Sequence, residues 1–84
     1  MKHIDVLIAD DHPLIRKGVI NALKDYADIR FVGEATDGYQ ALEMVRKFDP
    51  SILLLDIDMP KLSGLDVLKK VKEDQKESLF LRGN

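Results

Sequence analysis

Eighty-four residues allow one small domain, and the formal net charge of -2 comes from interspersed acidic and basic side chains. No basic stripe suits a nucleic-acid backbone, and no apolar run approaches the ~20 residues of a membrane span. With no cysteine, neither disulfides nor thiolate metal sites can staple the chain, and with no signal-like N-terminus it reads as a soluble cytoplasmic domain.

The first element is the apolar run Val6-Leu7-Ile8-Ala9, which ends in Asp10-Asp11. Unbroken runs of this length suit strands buried on both faces of a parallel sheet. Pro13 then fits the first turn of a helix, with Asp11 or His12 at its cap. Ile15, Val19, Ala22 and Leu23 follow at helical spacing and predict one apolar face. The more polar stretch Arg30–Ala35 predicts an edge strand. Asp37 is placed to cap a second helix, with Ala41, Leu42, Val45 and Phe48 inward and Pro50 as its stop. Ile52-Leu53-Leu54-Leu55 predicts a third strand, ending in Asp56. Ser63 is placed to cap a third helix with Leu65, Leu68 and Val71 as its buried stripe. Strand and helix alternate, which predicts an α/β fold with right-handed crossovers and helices on both faces of a parallel sheet.

Two apolar strands therefore end in carboxylates. In an open parallel sheet, ligands bind at the carboxyl ends of the strands. If the first and third strands are neighbours, Asp10, Asp11 and Asp56 converge. Three carboxylates so placed repel one another, and a divalent cation relieves the repulsion. An all-oxygen set with room for water and a phosphate favours Mg²⁺. Taken singly, each part also has a plain reading: Asp-Asp before a helix is a common cap, and an Asp at a strand end is a common turn residue.

Ile8-Ala9-Asp10-Asp11-His12-Pro13, Leu53-Leu54-Leu55-Asp56, Asp58-Met59-Pro60 and Gly64 together resemble a response-regulator receiver domain. Asp10 through Gly18 is similar to the NarL/FixJ branch, whose full-length members carry a C-terminal LuxR-type helix-turn-helix. The resemblance covers residues 1–76 and implies a partial flavodoxin-like fold, a three-stranded sheet in the order 2-1-3. It implies a non-enzymatic module of a two-component phosphorelay that accepts a phosphoryl group on Asp56 from a sensor histidine kinase. It further implies Asp11 as a direct metal ligand, Asp10 as a ligand directly or through water, and the backbone carbonyl of Asp58 as another. His12 reads as a helix-start residue, and Lys61 as a solvated surface lysine.

The family pattern continues to five strands, with a Ser or Thr closing the fourth and a Lys closing the fifth. Neither has a counterpart here, so switching and output are expected to be lost. Residues 77–84 read as a stub of the fourth strand or a truncation scar, with Leu79-Phe80-Leu81 where that strand would begin. Losing the later strands leaves the third at an edge, which invites pairing with another chain. A homo-oligomer is expected to cover the edge beside Ile52–Leu55. Two other readings stay open. Asp56-Ile57-Asp58 also resembles the nucleophile motif of haloacid-dehalogenase-type phosphatases, and the chain would also serve as an interaction fragment that takes no phosphate.

Overall fold

The computed structural model describes residues 3–74 and 78–82. Strand β1 (Ile4–Ala9) is followed by helix α1 (Pro13–Leu23), β2 (Ile29–Ala35), α2 (Gly38–Phe48), β3 (Ile52–Asp56), α3 (Gly64–Asp74) and β4 (Ser78–Arg82). The sheet is parallel throughout, in the order β2-β1-β3-β4. The expected 2-1-3 order is present, and the fourth-strand stub is a paired strand.

Strand alternation sorts the apolar residues onto two faces. Leu7, Ala9, Leu53 and Leu55 join Ala41, Leu42 and Val45 of α2 and Val67 and Val71 of α3 in one core. Ile8 and Leu54 face α1 across an apolar groove of about 280 Å³, which Val19, Ala22 and Leu23 also line. Here the structure departs from the sequence reading. No α1 residue is buried, because α1 stands over an open groove, and its apolar stripe is only half covered.

Asp37 caps α2 as expected, its Oδ1 accepting the Gln40 N–H at 2.9 Å. That hydrogen bond, with Lys61 nearby, holds the Asp37 carboxyl below its ordinary value of 3.8. Phe48, expected inward, is 38% exposed. The helix ends at Phe48, two residues before Pro50: Asp49 turns left-handed at φ 47°, and its N–H donates to the Val45 carbonyl. In α3 the Ser63 cap holds, its Oγ accepting the Asp66 N–H at 3.2 Å. The buried stripe, however, is Val67 and Val71 flanked by Leu68, while Leu65 is 50% exposed.

The expectation of an open edge at β3 is corrected. Ser78–Arg82 of the same chain pairs with Ile52–Asp56, residue for residue. The β3 backbone groups therefore already have partners within the chain and need no second chain, and the open edge passes to β4. No helix among the described residues is long and apolar enough to cross a membrane.

Candidate functional site

Register builds the site. Ala9 lies opposite Leu55 in the β1–β3 pairing, so the next residues, Asp10 and Asp56, leave adjacent strand ends side by side. The Asp10 N–H donates to the Ala35 carbonyl at 2.9 Å, which continues the β1–β2 pairing one residue further and ties Asp10 to the sheet. Both carboxylates are almost fully buried, Asp10 at 0% and Asp56 at 1% exposure. Asp11 starts the turn into α1 and is partly open. Ligand atoms from Asp10, Asp11, His12 and Asp56 all lie within 4.8 Å of one another. The convergence of Asp10, Asp11 and Asp56 expected from the strand pattern is thus what the structure contains.

Backbone donors fix the carboxylates. Asp10 Oδ1 accepts the His12 N–H at 2.9 Å, and Asp56 Oδ1 accepts the Asp58 N–H at 3.1 Å. The side chain of Asp58 is exposed and lies outside the cluster. Arg16, one turn into α1, donates from Nη1 to the Asp10 carbonyl at 2.8 Å and from Nε to Glu34 at 3.1 Å. It clasps the ends of β1 and β2 beneath the site.

His12 departs from its sequence reading. It is the N-cap residue of α1, as expected, but its side chain makes no capping hydrogen bond. The ring instead turns into the acid cluster. Its Nδ1 lies 2.7 Å from Asp10 Oδ1, 3.2 Å from Asp11 Oδ1 and 3.4 Å from Asp56 Oδ2. The available sequence signal was its position directly after Asp10-Asp11. Lys61, read as a solvated lysine, reaches Asp37 at 3.6 Å rather than the cluster.

The loop from Ile57 to Ser63 brings α3 hard against the end of β3. The Gly64 N–H donates to the Ile57 carbonyl at 2.9 Å. A Cβ on Gly64 would run into the Asp56 carbonyl oxygen and lie 2.6 Å from Ile57 Cα. Only glycine lets the helix start this close to the strand that carries Asp56.

The donor set is suited to a metal. Carboxylate oxygens from two strand ends and a turn, partly open to solvent through Asp11, match a hard divalent ion that keeps some of its water. Such an ion would also offset three negative charges gathered in a mostly buried place.

Comparison with known proteins agrees with the geometry. The response regulator receiver domain matches residues 6–80. The nitrate/nitrite response regulator protein NarL of Escherichia coli K12 is 43% identical over 68 residues, covering 81% of this chain and 32% of that protein. A protein-glutamate methylesterase/protein-glutamine glutaminase of Methanospirillum hungatei is 46% identical over 70 residues, covering 83% of this chain and 20% of the relative. The chain thus spans a third or less of the length of these curated relatives. The signal receiver domain of NarL from Mycobacterium tuberculosis superposes with a TM-score of 0.92 at 36% identity, covering 99% of this chain and 68% of that one.

Proposed function

The chain belongs to the response-regulator receiver-domain family, and from that premise we propose that Asp56 is its phosphoacceptor, taking a phosphoryl group from a phosphohistidine of a sensor histidine kinase with Mg²⁺ at the site. The observation that carries this reading is the convergence of Asp10, Asp11 and Asp56 at the ends of two adjacent parallel strands. Asp11 and Asp10 would hold the ion, with Asp56 itself and the Asp58 carbonyl completing the protein's share. When bound, Mg²⁺ supplies positive charge between the carboxylate and the phosphoryl oxygens.

The chain's own residues account for the rest. The Asp58 N–H orients the Asp56 carboxylate through Oδ1. One carboxylate oxygen forms a bond to phosphorus as the bond from phosphorus to the donor imidazole breaks. The imidazole leaves with the electron pair and is reprotonated. Little covalent work is asked of the protein; positioning and charge do most of it.

The phosphatase reading needs Asp58 as an acid and base beside Asp56. Its side chain is exposed and lies outside the cluster, so that reading finds no support in the geometry.

The test is to incubate the full chain with Mg²⁺ and a phosphohistidine donor or acetyl phosphate, trap the acyl phosphate by borohydride reduction, and map the label by mass spectrometry. Label is expected on Asp56 alone. Label on Asp58 or elsewhere would remove Asp56 from the role.

A further inference from the structure

We propose that Lys61 is a positioning residue for the phosphoacceptor: paired with Asp37, it latches a strained turn of the β3–α3 loop onto the start of α2 and so keeps the Asp58 backbone set against Asp56. The inference rests on the reading of Asp56 as phosphoacceptor, and it adds to that reading a residue outside the acid cluster.

The first observation is the turn. The Leu62 N–H donates to the Pro60 carbonyl at 2.8 Å, which closes a tight turn centred on Lys61. The Lys61 backbone is left-handed, with φ 71°. A turn closed this way over a residue of positive φ is the rare, strained kind, and the lysine Cβ adds to the strain where a glycine would not. The other non-glycine residue of positive φ among the described residues is Asp49, at the C-cap of α2, where that conformation is ordinary. Backbone strain therefore sits in the loop that carries Asp58, and the surroundings must hold it there.

The second observation is what holds it. Lys61 Nζ lies 3.6 Å from Asp37 Oδ2. Asp37 is a fixed anchor: it is buried, and its Oδ1 accepts the Gln40 N–H at 2.9 Å. The next residue along, Gly38, meets the next residue of the loop, since a Cβ there would run into the Leu62 carbonyl oxygen. Lys61 and Leu62 thus both seat on Asp37 and Gly38, one through charge and one through close backbone contact.

The third observation is where the loop leads. The Asp58 N–H donates to Asp56 Oδ1 at 3.1 Å, and the Gly64 N–H donates to the Ile57 carbonyl at 2.9 Å. The loop is fixed at its two ends on the strand that carries Asp56, and Asp37 supplies a fixed point between them from another element. An ion pair on an exposed lysine contributes little to overall stability. Here it opposes strain three residues from Asp58, so its effect falls on the local setting of that backbone.

The experiment uses the full chain. Lys61→Asn keeps a residue that tolerates the left-handed turn and removes the charge. With acetyl phosphate and saturating Mg²⁺ at low ionic strength, it is expected to slow labelling of Asp56 about two- to fivefold and to speed hydrogen exchange of the Asp58 amide by a similar factor. Lys61→Arg should restore both. Asp37→Asn, which keeps an oxygen for the Gln40 N–H, should match Lys61→Asn, and the double variant should be little worse than either single one. The gap between parent and Lys61→Asn should close in about 1 M salt. The melting temperature of Lys61→Asn should stay within about 3 °C of the parent. Additive effects of the two substitutions, failure of Lys61→Arg to restore the rate, or an Asp58 amide that exchanges alike in all the chains would overturn the latch. A slowing matched by a large fall in melting temperature would overturn it too, by making Lys61 a stability residue only. A parent chain that takes no label while its Asp58 amide still depends on Lys61 would fail the phosphoacceptor reading, and with it the part in the reaction assigned to Lys61.

Discussion

Asp56→Asn is expected to end phosphoryl incorporation and, in the absence of divalent metal, to raise the melting temperature. The two effects have one cause. The Asp56 carboxylate shares a largely buried corner with those of Asp10 and Asp11, with ligand atoms within 4.8 Å. Two unit charges at that separation repel by about 3 kcal/mol at an effective dielectric of about 20. His12 offsets part of this, and the asparagine amide must find its own acceptor. A net gain of about 1–2 kcal/mol remains, or about 5–10 °C for a domain of this size. The variant keeps an oxygen to accept the Asp58 N–H, so the loop need not move. Phosphoryl transfer is lost because an amide oxygen is a poor nucleophile and carries no charge for Mg²⁺ to bridge. Mass spectrometry and thermal unfolding with and without Mg²⁺ check both halves. A lower metal-free melting temperature would mean that the acid cluster is not under repulsion.

Gly64→Ala is expected to cost about 2–3 kcal/mol of stability and to weaken metal binding with it. The added Cβ would meet the Asp56 carbonyl oxygen, Ile57 Cα at 2.6 Å and the Asp56 carbonyl carbon at 3.0 Å. All three are backbone atoms, so no side chain can swing aside. Either α3 lifts from the sheet or the end of β3 shifts, and Asp56 moves with it. Small domains have only about 5–15 kcal/mol in total, so the loss is large. Gly18→Ala is the matched control. It lies in the interior of α1 with nothing within 4 Å of its added Cβ, and the same substitution there should stabilise by about 0.5–1 kcal/mol. Urea unfolding of the two variants reads the contrast. Equal effects would show that the β3–α3 junction is not pinned.

Much of the fold was legible because the strongest signals were local. β1 and β3 are unbroken apolar runs that end in acids, and buried parallel strands need that pattern. Asp37 and Ser63 capped the helices they were expected to cap. Other features depend on tertiary context. The stripe of α3 was read as Leu65, Leu68 and Val71, but Gly64 seats the helix on β3 in a rotation that buries Val67 and turns Leu65 outward. Phe48 follows the spacing of an inward residue yet stands at the last position of α2, where cover runs out. The pairing of Ser78–Arg82 with β3 was half legible. Its apolar centre suggested a strand, but sequence could not decide whether this chain or another would cover the edge.

The site was legible for the same reason as the strands. Asp10 and Asp56 are the residues that follow Ala9 and Leu55, and register alone makes those neighbours. His12 and Arg16 were not read as part of it. Their roles depend on which way each side chain turns at the start of α1, and spacing does not encode that. An imidazole after an acidic pair suits a helix cap as well as a contact with the acids, and the distances to Asp10, Asp11 and Asp56 place the ring against the acids.

If Asp56 accepts a phosphoryl group at a metal centre built with Asp10 and Asp11, a phosphoryl mimic should settle on Asp56 only when the ion is present. Fluorine NMR of the full chain with beryllofluoride, which mimics a phosphoryl group on a carboxylate, reads this out. A bound fluoride signal is expected only when Mg²⁺ is present, and it should vanish in Asp56→Asn and weaken in Asp11→Ala. A bound signal that persists without Mg²⁺ or in Asp56→Asn, or none at all in the parent chain, would mean that Asp56 is not a metal-assisted phosphoacceptor.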